Sequence, residues 1–287
     1  MHAFRNLPHT PPFTVTSPLQ GQPYGRLNQG VQSAIAARVL GLPSPIPAAT
    51  HTRFILQWTL NETIRGMSST PYCPPTNRGL AILYLSEQLI VVNKPSGLLS
   101  VPGRGAGKED CLSRRVQSEF SDALIVHRLD MGTSGIVVMA RGAAAQRELS
   151  VMFQERRVRK RYQALVEGHW MAEATGEIKL SICVDWPNRP KQKVDHNMGR
   201  PSLTRYRVLD IDTAGAVSRI ELDPVTGRSH QLRVHMEAMR HPILGDDFYG
   251  TPASCAKAER LMLHACRIEF CHPAMDFPLC IDCPPPF

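Results

Sequence analysis

With 287 residues, 43% of them hydrophobic, the chain is long enough to bury a full core in one large domain or two small ones. A formal net charge of +8 and a pI near 9.2 favour polyanionic partners, nucleic acid above all. No apolar run reaches the roughly 18 residues that span a bilayer, and Met1 to Thr10 has no apolar stretch of a secretory signal; both argue against membrane and export roles.

Residues 1–77 differ in kind from the rest. They carry 11 of the 24 prolines, no lysine and no acid before Glu62. Only 34–40 and 53–64 have the pattern of short helices or strands, so the expectation is a disordered, Pro-rich extension. An organellar transit sequence is one alternative. A true start at Met67 is another, and it is favoured because nothing before it carries chemistry. From 78 to 287 the pattern is that of a dense α+β domain. Residues 81–85 and 89–93 alternate around a turn, as a hairpin does. Helical spacing follows over 111–120 and 143–156, with Leu149, Met152 and Phe153 as the apolar stripe of the second. Strands are expected at 136–140, 162–166, 202–211, 217–222 and 277–281. A helix is expected over 226–239, with Leu232, Met236 and Met239 on one face. Isolated helices among hairpins predict a mostly antiparallel sheet rather than a doubly wound one.

The eight cysteines are scattered, which predicts free thiols in a reducing cytosol rather than a disulfide framework. Cys280 and Cys283 have metal-like spacing, near Cys266, Cys271, His264 and His272. On a strand, however, positions three apart face opposite ways, so no metal site is expected. Gly103 to Lys108 hints at a phosphate loop but lacks the first glycine and the closing Ser or Thr. His230 and His235 are five apart, not the four that bring two ligands to one helix face.

The most informative stretch is His127-Arg128-Leu129-Asp130-Met131-Gly132-Thr133-Ser134-Gly135. It sets one carboxylate in a tight polar turn, followed directly by the apolar run 136–139. Such an Asp is costly to bury unless something pairs with it, so it is either a turn acid or a working group. The stretch resembles the signature of the RluA-type pseudouridine synthases. Further blocks resemble that family in the right order: Asn93-Lys94-Pro95-Ser96-Gly97-Leu98, Arg159 to Val166, Pro224 to His235, His241 to Asp246, Tyr249-Gly250 and Leu263-His264-Ala265. The likeness covers about residues 80–287. It is nearest to the short subgroup that modifies both 23S rRNA and tRNA, on Leu98 to Arg104 and Cys183 to Lys193. Gly132 stands where that signature has Ala.

The resemblance implies a pseudouridine synthase fold: a long mixed, mostly antiparallel sheet flanked by helices and loops, with a central catalytic cleft. It implies Asp130 as nucleophile, Tyr162 stacking on the target uracil, Arg228 pairing with Asp130 and Leu232 packing beneath. His127 and Arg128 flank the nucleophile, and Arg128 enters the RNA helix where the uridine leaves. The reaction breaks N1–C1′, turns the uracil and rejoins it through C5. It is redox-neutral and implies no cofactor and no metal. Whether Asp130 attacks C6 or C1′ stays open.

Physical chemistry agrees with these roles. The nucleophile has to come from the protein, and a base inside stacked RNA must be extruded and held by an aromatic face. Arg159, Lys160 and Arg161 run directly into Tyr162, and Arg189, Lys191, Lys193 and Arg200 form a second basic patch; both suit phosphates. The expected partner is structured RNA, meaning stem-loops of 23S rRNA and tRNA, with no membrane, a cytoplasmic location and a monomer. The alternative from another class is a non-catalytic RNA-binding or chaperone protein on the same fold.

Overall fold

The computed structural model of the protein describes residues 72–275 and 277–287. The expected disordered leader, its candidate segments 34–40 and 53–64 and the Met67 start lie outside the described residues. Residues 72–77, grouped with the extension on composition, are hydrogen-bonded to the domain. The Tyr72 hydroxyl donates to the Asp110 carbonyl at 2.9 Å and accepts from the Leu99 N–H at 3.0 Å, and the Pro75 carbonyl accepts from Arg115 at 2.6 Å.

The described chain begins with the hairpin β1 (Ile82–Leu85) and β2 (Leu89–Lys94), then α1 (Leu112–Gln117), β3 (Ala123–Ile125), β4 (Ser134–Arg141) and α2 (Gly142–Gln154). It continues through β5 (Arg159–Glu167), β6 (Thr175–Val184), β7 (Gln192–Val194), β8 (Arg200–Asp212) and β9 (Val217–Pro224). It ends with α3 (Gln231–Ala238), α4 (Pro252–Ala256), β10 (Leu263–Cys271) and β11 (Pro278–Asp282). The strands form one sheet in the order β1-β2-β4-β10-β5-β9-β8-β6-β7, with β3 added to β4 and β11 to β10. Every pairing is antiparallel except β4 with β10. That parallel junction has two register pairs, Ser134 with His264 and Gly135 with Ala265, and it joins the two halves of the sheet.

Burial explains the sequence patterns. β4 is covered on both faces: Ile136 and Val138 pack with Leu149 and Met152 of α2, while Val137 and Met139 pack with Leu112, Val116 and Ala123. A strand buried on both sides reads as a continuous apolar run, as 136–139 does. In the other half β9 alternates, burying Ile220 and Leu222 together with Leu232 and Met236 of α3. The helix expected over 226–239 occupies only Gln231–Ala238, and Met239 is 37% exposed. Residues 226–230 form a loop instead, because the Gln231 side chain accepts from Thr226 Oγ1 at 2.7 Å and from the Arg228 N–H at 3.1 Å, and so holds them out of the helix. On β11, Cys280 is exposed and Cys283 beyond it buried, on opposite faces. Among the described residues no three His, Cys, Asp or Glu side chains gather as a metal set, and no helix is long and apolar enough to cross a membrane.

Two buried histidines, His235 and His264, and the half-buried His127 should make the fold acid-sensitive. His235 lies between the Ser202 and Thr204 hydroxyls, at 2.9 Å from each. His264 lies 2.8 Å from the Ser134 hydroxyl and 3.0 Å from the Cys283 carbonyl. Burial pulls both down to about 4, and pulls His127 down to about 3. Unfolded histidines titrate near ~6.5. Since the folded values are depressed, the stability is fully present above ~6.5 and is lost as pH falls toward the folded values. The free energy of urea unfolding should therefore fall by up to ~4 kcal/mol per pH unit between about pH 6 and pH 5, each refused proton contributing ~1.4. A flat profile in that window, above the range of ordinary carboxylates, would contradict this assignment.

Candidate active site

Asp130 stands on the turn that feeds β4, closed by the Thr133 N–H on the Asp130 carbonyl at 3.2 Å. On one edge β4 pairs along its length with β2; on the other it meets β10 at Ser134 and Gly135 and β3 at Met139 to Arg141. In the gap between them the Val138 N–H is taken by His127 Nε2 at 2.9 Å. The His127 ring stacks on Phe153 of α2, with centroids 4.5 Å apart. This neutral imidazole is both a cavity wall and the brace that fixes where the turn leaves the sheet.

Beneath the turn lies the 93–100 segment, which explains why that block accompanies the Asp130 stretch. Lys94, wholly buried, donates from Nζ to the carbonyls of Pro95 (3.0 Å), Leu98 (2.7 Å) and Met131 (3.0 Å). Burial pushes its ammonium down to about 7, against the pull of the Asp130 charge. Three carbonyl acceptors also favour the protonated form. Ser96 donates to the Gly132 carbonyl at 2.6 Å, and Ser100 donates to the Leu129 carbonyl at 2.7 Å while accepting its N–H at 3.1 Å. The turn is thus held at Leu129, Met131 and Gly132, on both sides of Asp130. At Gly132 a Cβ would come within 3.2 Å of the Leu261 side chain, a tight contact.

Asp130 faces a cavity of about 540 Å³. Tyr162, from β5, and Leu232, from α3, line it together with His127, Arg128, Lys160 and Arg228. Burial, and secondarily the Asp130 charge, raises the Tyr162 phenol above its ordinary value, so it stays protonated. Arg128 is exposed at the mouth. The expected pairing of Arg228 with Asp130 is replaced by a different arginine. Arg233 Nη1 lies 3.9 Å from Asp130 Oδ2, and its guanidinium is clamped on Asp246 at 2.8 and 2.6 Å and on Asp247 at 3.0 Å. Arg228 instead lines the cavity with a buried Nε that has no hydrogen-bond partner among the described residues.

His230 was not among the expected site residues. Its Nε2 lies 3.9 Å from Asp130 Oδ1 and its Nδ1 lies 2.6 Å from the Tyr249 hydroxyl. The buried Asp246 could have directed attention to Arg233, since a buried carboxylate demands a cation.

The basic runs separate. β5 alternates, so Lys160 shares the cavity face with Tyr162, while Arg159 and Arg161 leave on the other face, where Arg161 pairs with Glu221 at 3.8 Å. Arg189, Lys191 and Lys193 do not line the cavity; they lie at the β6–β7 turn. There the Arg189 guanidinium covers the exposed Trp186 ring at 3.2 Å, and Lys193 lies 3.9 Å from Asp195. The Gln192 N–H, between them, donates to the Tyr249 hydroxyl at 2.8 Å.

A carboxylate only 29% exposed, with a clamped cation near one oxygen, an aromatic ring, an apolar floor and a basic rim suits a flat base carried on a phosphate chain. Comparison with known proteins agrees. The family model for RNA pseudouridylate synthases matches residues 88–238. The dual-specificity RNA pseudouridine synthase RluA of Salmonella typhi is 50% identical over 208 residues, 72% of this chain and 94% of that protein. Its counterpart from Pasteurella multocida is 45% identical over 221 residues, 77% of this chain and all of that protein. The solved structure of human RNA pseudouridylate synthase domain containing 1 superposes with a TM-score of 0.62 at 32% identity, over 75% of this chain and 87% of that one. The matched region carries Asp130, Tyr162, Arg228 and Arg233, and the chain belongs to the RNA pseudouridylate synthase family.

Proposed function

We propose that this protein isomerises uridine to pseudouridine in stem-loops of both 23S rRNA and tRNA, in the cytoplasm and as a monomer, with Asp130 as the nucleophile. The observation that carries the reading is the setting of Asp130, a carboxylate on a turn gripped by Lys94, Ser96 and Ser100 and facing a cavity of about 540 Å³, with Arg233 3.9 Å away. Dual substrates are supported by the likeness to the dual-specificity enzymes.

Within this reading the uridine leaves its stack and lies against the Tyr162 ring, above Leu232. The N1–C1′ bond breaks, the C5–C1′ bond forms, the C5 proton is lost and N1 gains one, so no electrons are exchanged overall. Asp130 carries the covalent step, at C6 or at C1′. Arg233 offsets the cost of its charge. Arg228, with its unpartnered buried Nε, supplies a donor for an acceptor on the nucleotide. Lys160 and Arg128 meet phosphates at the rim, and the Arg189, Lys191 and Lys193 turn meets them farther out.

The test is pseudouridine mapping on cellular RNA from a strain lacking the gene, complemented by wild type or by Asp130→Asn. Sites in tRNA and 23S rRNA should vanish and return only with wild type, while the purified variant binds stem-loop RNA with an affinity within about twofold of wild type. If no site changes, a binding or chaperone role takes precedence.

A further inference from the structure

The hydrogen bonds behind Asp130 extend beyond the residues assigned above. We infer that His230 is a positioning residue for the Asp130 carboxylate, held in the Nε2–H tautomer by the Tyr249 phenol, which is itself fixed by the Gln192 N–H. The inference rests on Asp130 being the nucleophile.

Proton counting selects the tautomer. The Tyr249 oxygen accepts from the Gln192 N–H at 2.8 Å and lies 2.6 Å from His230 Nδ1. If Nδ1 carried the hydrogen, the phenol would accept twice and its own hydrogen would have no partner among the described residues. The Nε2 lone pair would then face the Asp130 Oδ1, acceptor against acceptor at 3.9 Å. If Nδ1 is bare, the phenol donates to it and Nε2–H faces the carboxylate, donor toward acceptor. Asp130 then has one donor beside each oxygen, His230 at Oδ1 and Arg233 at Oδ2, both at 3.9 Å. At that distance the carboxylate is aimed without being locked into an ion pair.

A second observation points the same way. His230 adopts a left-handed backbone, φ 54° and ψ 17°, at the head of α3. For a residue with a Cβ this costs about 1–2 kcal/mol, and such outliers persist where the surroundings over-determine them, often at functional sites. The groups that face the ring are Asp130 from the β4 turn, Arg233 from α3, and Asp246, Asp247, Phe248 and Tyr249 from the following loop. Arg233 also lies over the Phe248 and Tyr249 rings, at 5.0 and 5.2 Å. Burial outweighs the neighbouring carboxylates and keeps the imidazole below its ordinary value, so His230 is neutral near neutral pH.

The test uses the full chain with a stem-loop RNA bearing tritium at uridine C5, whose release reports the isomerisation. Tyr249→Phe should lower kcat about tenfold and leave RNA affinity within about twofold. It should also move the acid limb of the kcat profile to higher pH. Without the phenol hydrogen Nδ1 is open to protonation, and an imidazolium beside Asp130 pairs with the nucleophile. His230→Gln, which keeps an N–H donor at similar reach, should retain more activity than His230→Ala. Wild-type kcat with an unmoved acid limb in Tyr249→Phe overturns the inference, as does equal loss in the two His230 variants at equal melting temperature. If both His230 variants fail to fold, Tyr249→Phe alone decides. Asp130→Asn runs in the same assay: turnover by it would sink the nucleophile, whereas a dead Asp130→Asn beside an unaffected Tyr249→Phe would sink only the His230 role.

Discussion

Arg233→Met should lose activity about 10²–10³-fold and lower the unfolding free energy by about 3–5 kcal/mol, while Arg228→Met leaves the fold near wild type. The two losses have different origins. Asp246 is wholly buried; besides Arg233 it accepts the N–H groups of Phe248 and Tyr249 at 3.0 Å each. Removing the guanidinium strands that carboxylate, which is the source of the stability loss. Activity falls because Asp130 loses its nearest permanent cation. The two effects should separate in Arg233→Met combined with Asp246→Asn, where an uncharged amide relieves the buried charge. Urea unfolding should recover part of its midpoint, and tritium release from stem-loop RNA should not. Arg233→Lys keeps the charge but not the two-pronged grip on Asp246, and it should fall between wild type and Met in both measurements. If Arg228→Met proves the more damaging to folding, the pairing described for Arg233 is wrong.

Gly135→Ala should be among the most disruptive methyl additions in the domain, costing more than ~4 kcal/mol or yielding insoluble protein. Gly135 has φ +109°, and a Cβ there would come within 2.3 Å of the Ala265 carbonyl oxygen and 2.6 Å of its nitrogen. Both are backbone atoms and cannot rotate away. The residue is also half of the two-pair parallel junction between β4 and β10, five positions after Asp130. Gly142→Ala is the control: its φ is +77°, but nothing lies within 4 Å of its Cβ. It should cost only the ~1–2 kcal/mol of left-handed strain. Thermal melting of the two variants checks the contrast.

The parts of this fold legible in the sequence are those where periodicity and burial coincide. The opening hairpin, the β4 run, the α2 stripe and the β9 alternation all fall near their expected places. β6 was missed because Glu177 and Lys179 interrupt it and it buries little beyond Ile178 and Ile182. β10 was missed because its first half is buried on both faces and has no alternation to read. At the site, Asp130, Tyr162 and Leu232 were legible through family likeness and converge on one cavity. A strand deals successive side chains to opposite faces, so of Arg159, Lys160 and Arg161 only Lys160 reaches the cavity, which Arg156, ahead of the strand, also lines. The family likeness pointed to Arg228, and the structure places Arg233 beside Asp130 instead. The late start of α3 goes with the Gln231 side chain and a left-handed His230, which no propensity scale anticipates.

The Lys94 ammonium and the Ser96 and Ser100 hydroxyls grip the turn around Asp130 from below, so its shape is complete within the protein itself. Little reorganisation then remains for the enzyme when RNA arrives, and the deformation falls on the nucleic acid. Unstacking and unpairing a nucleotide costs a few kcal/mol, least where the loop already strains it. An already shaped Asp130 turn therefore makes the RNA's own reluctance to release a base the selective quantity: loops that part with their uridine cheaply should be modified, and equally well-docked helices that hold theirs should not.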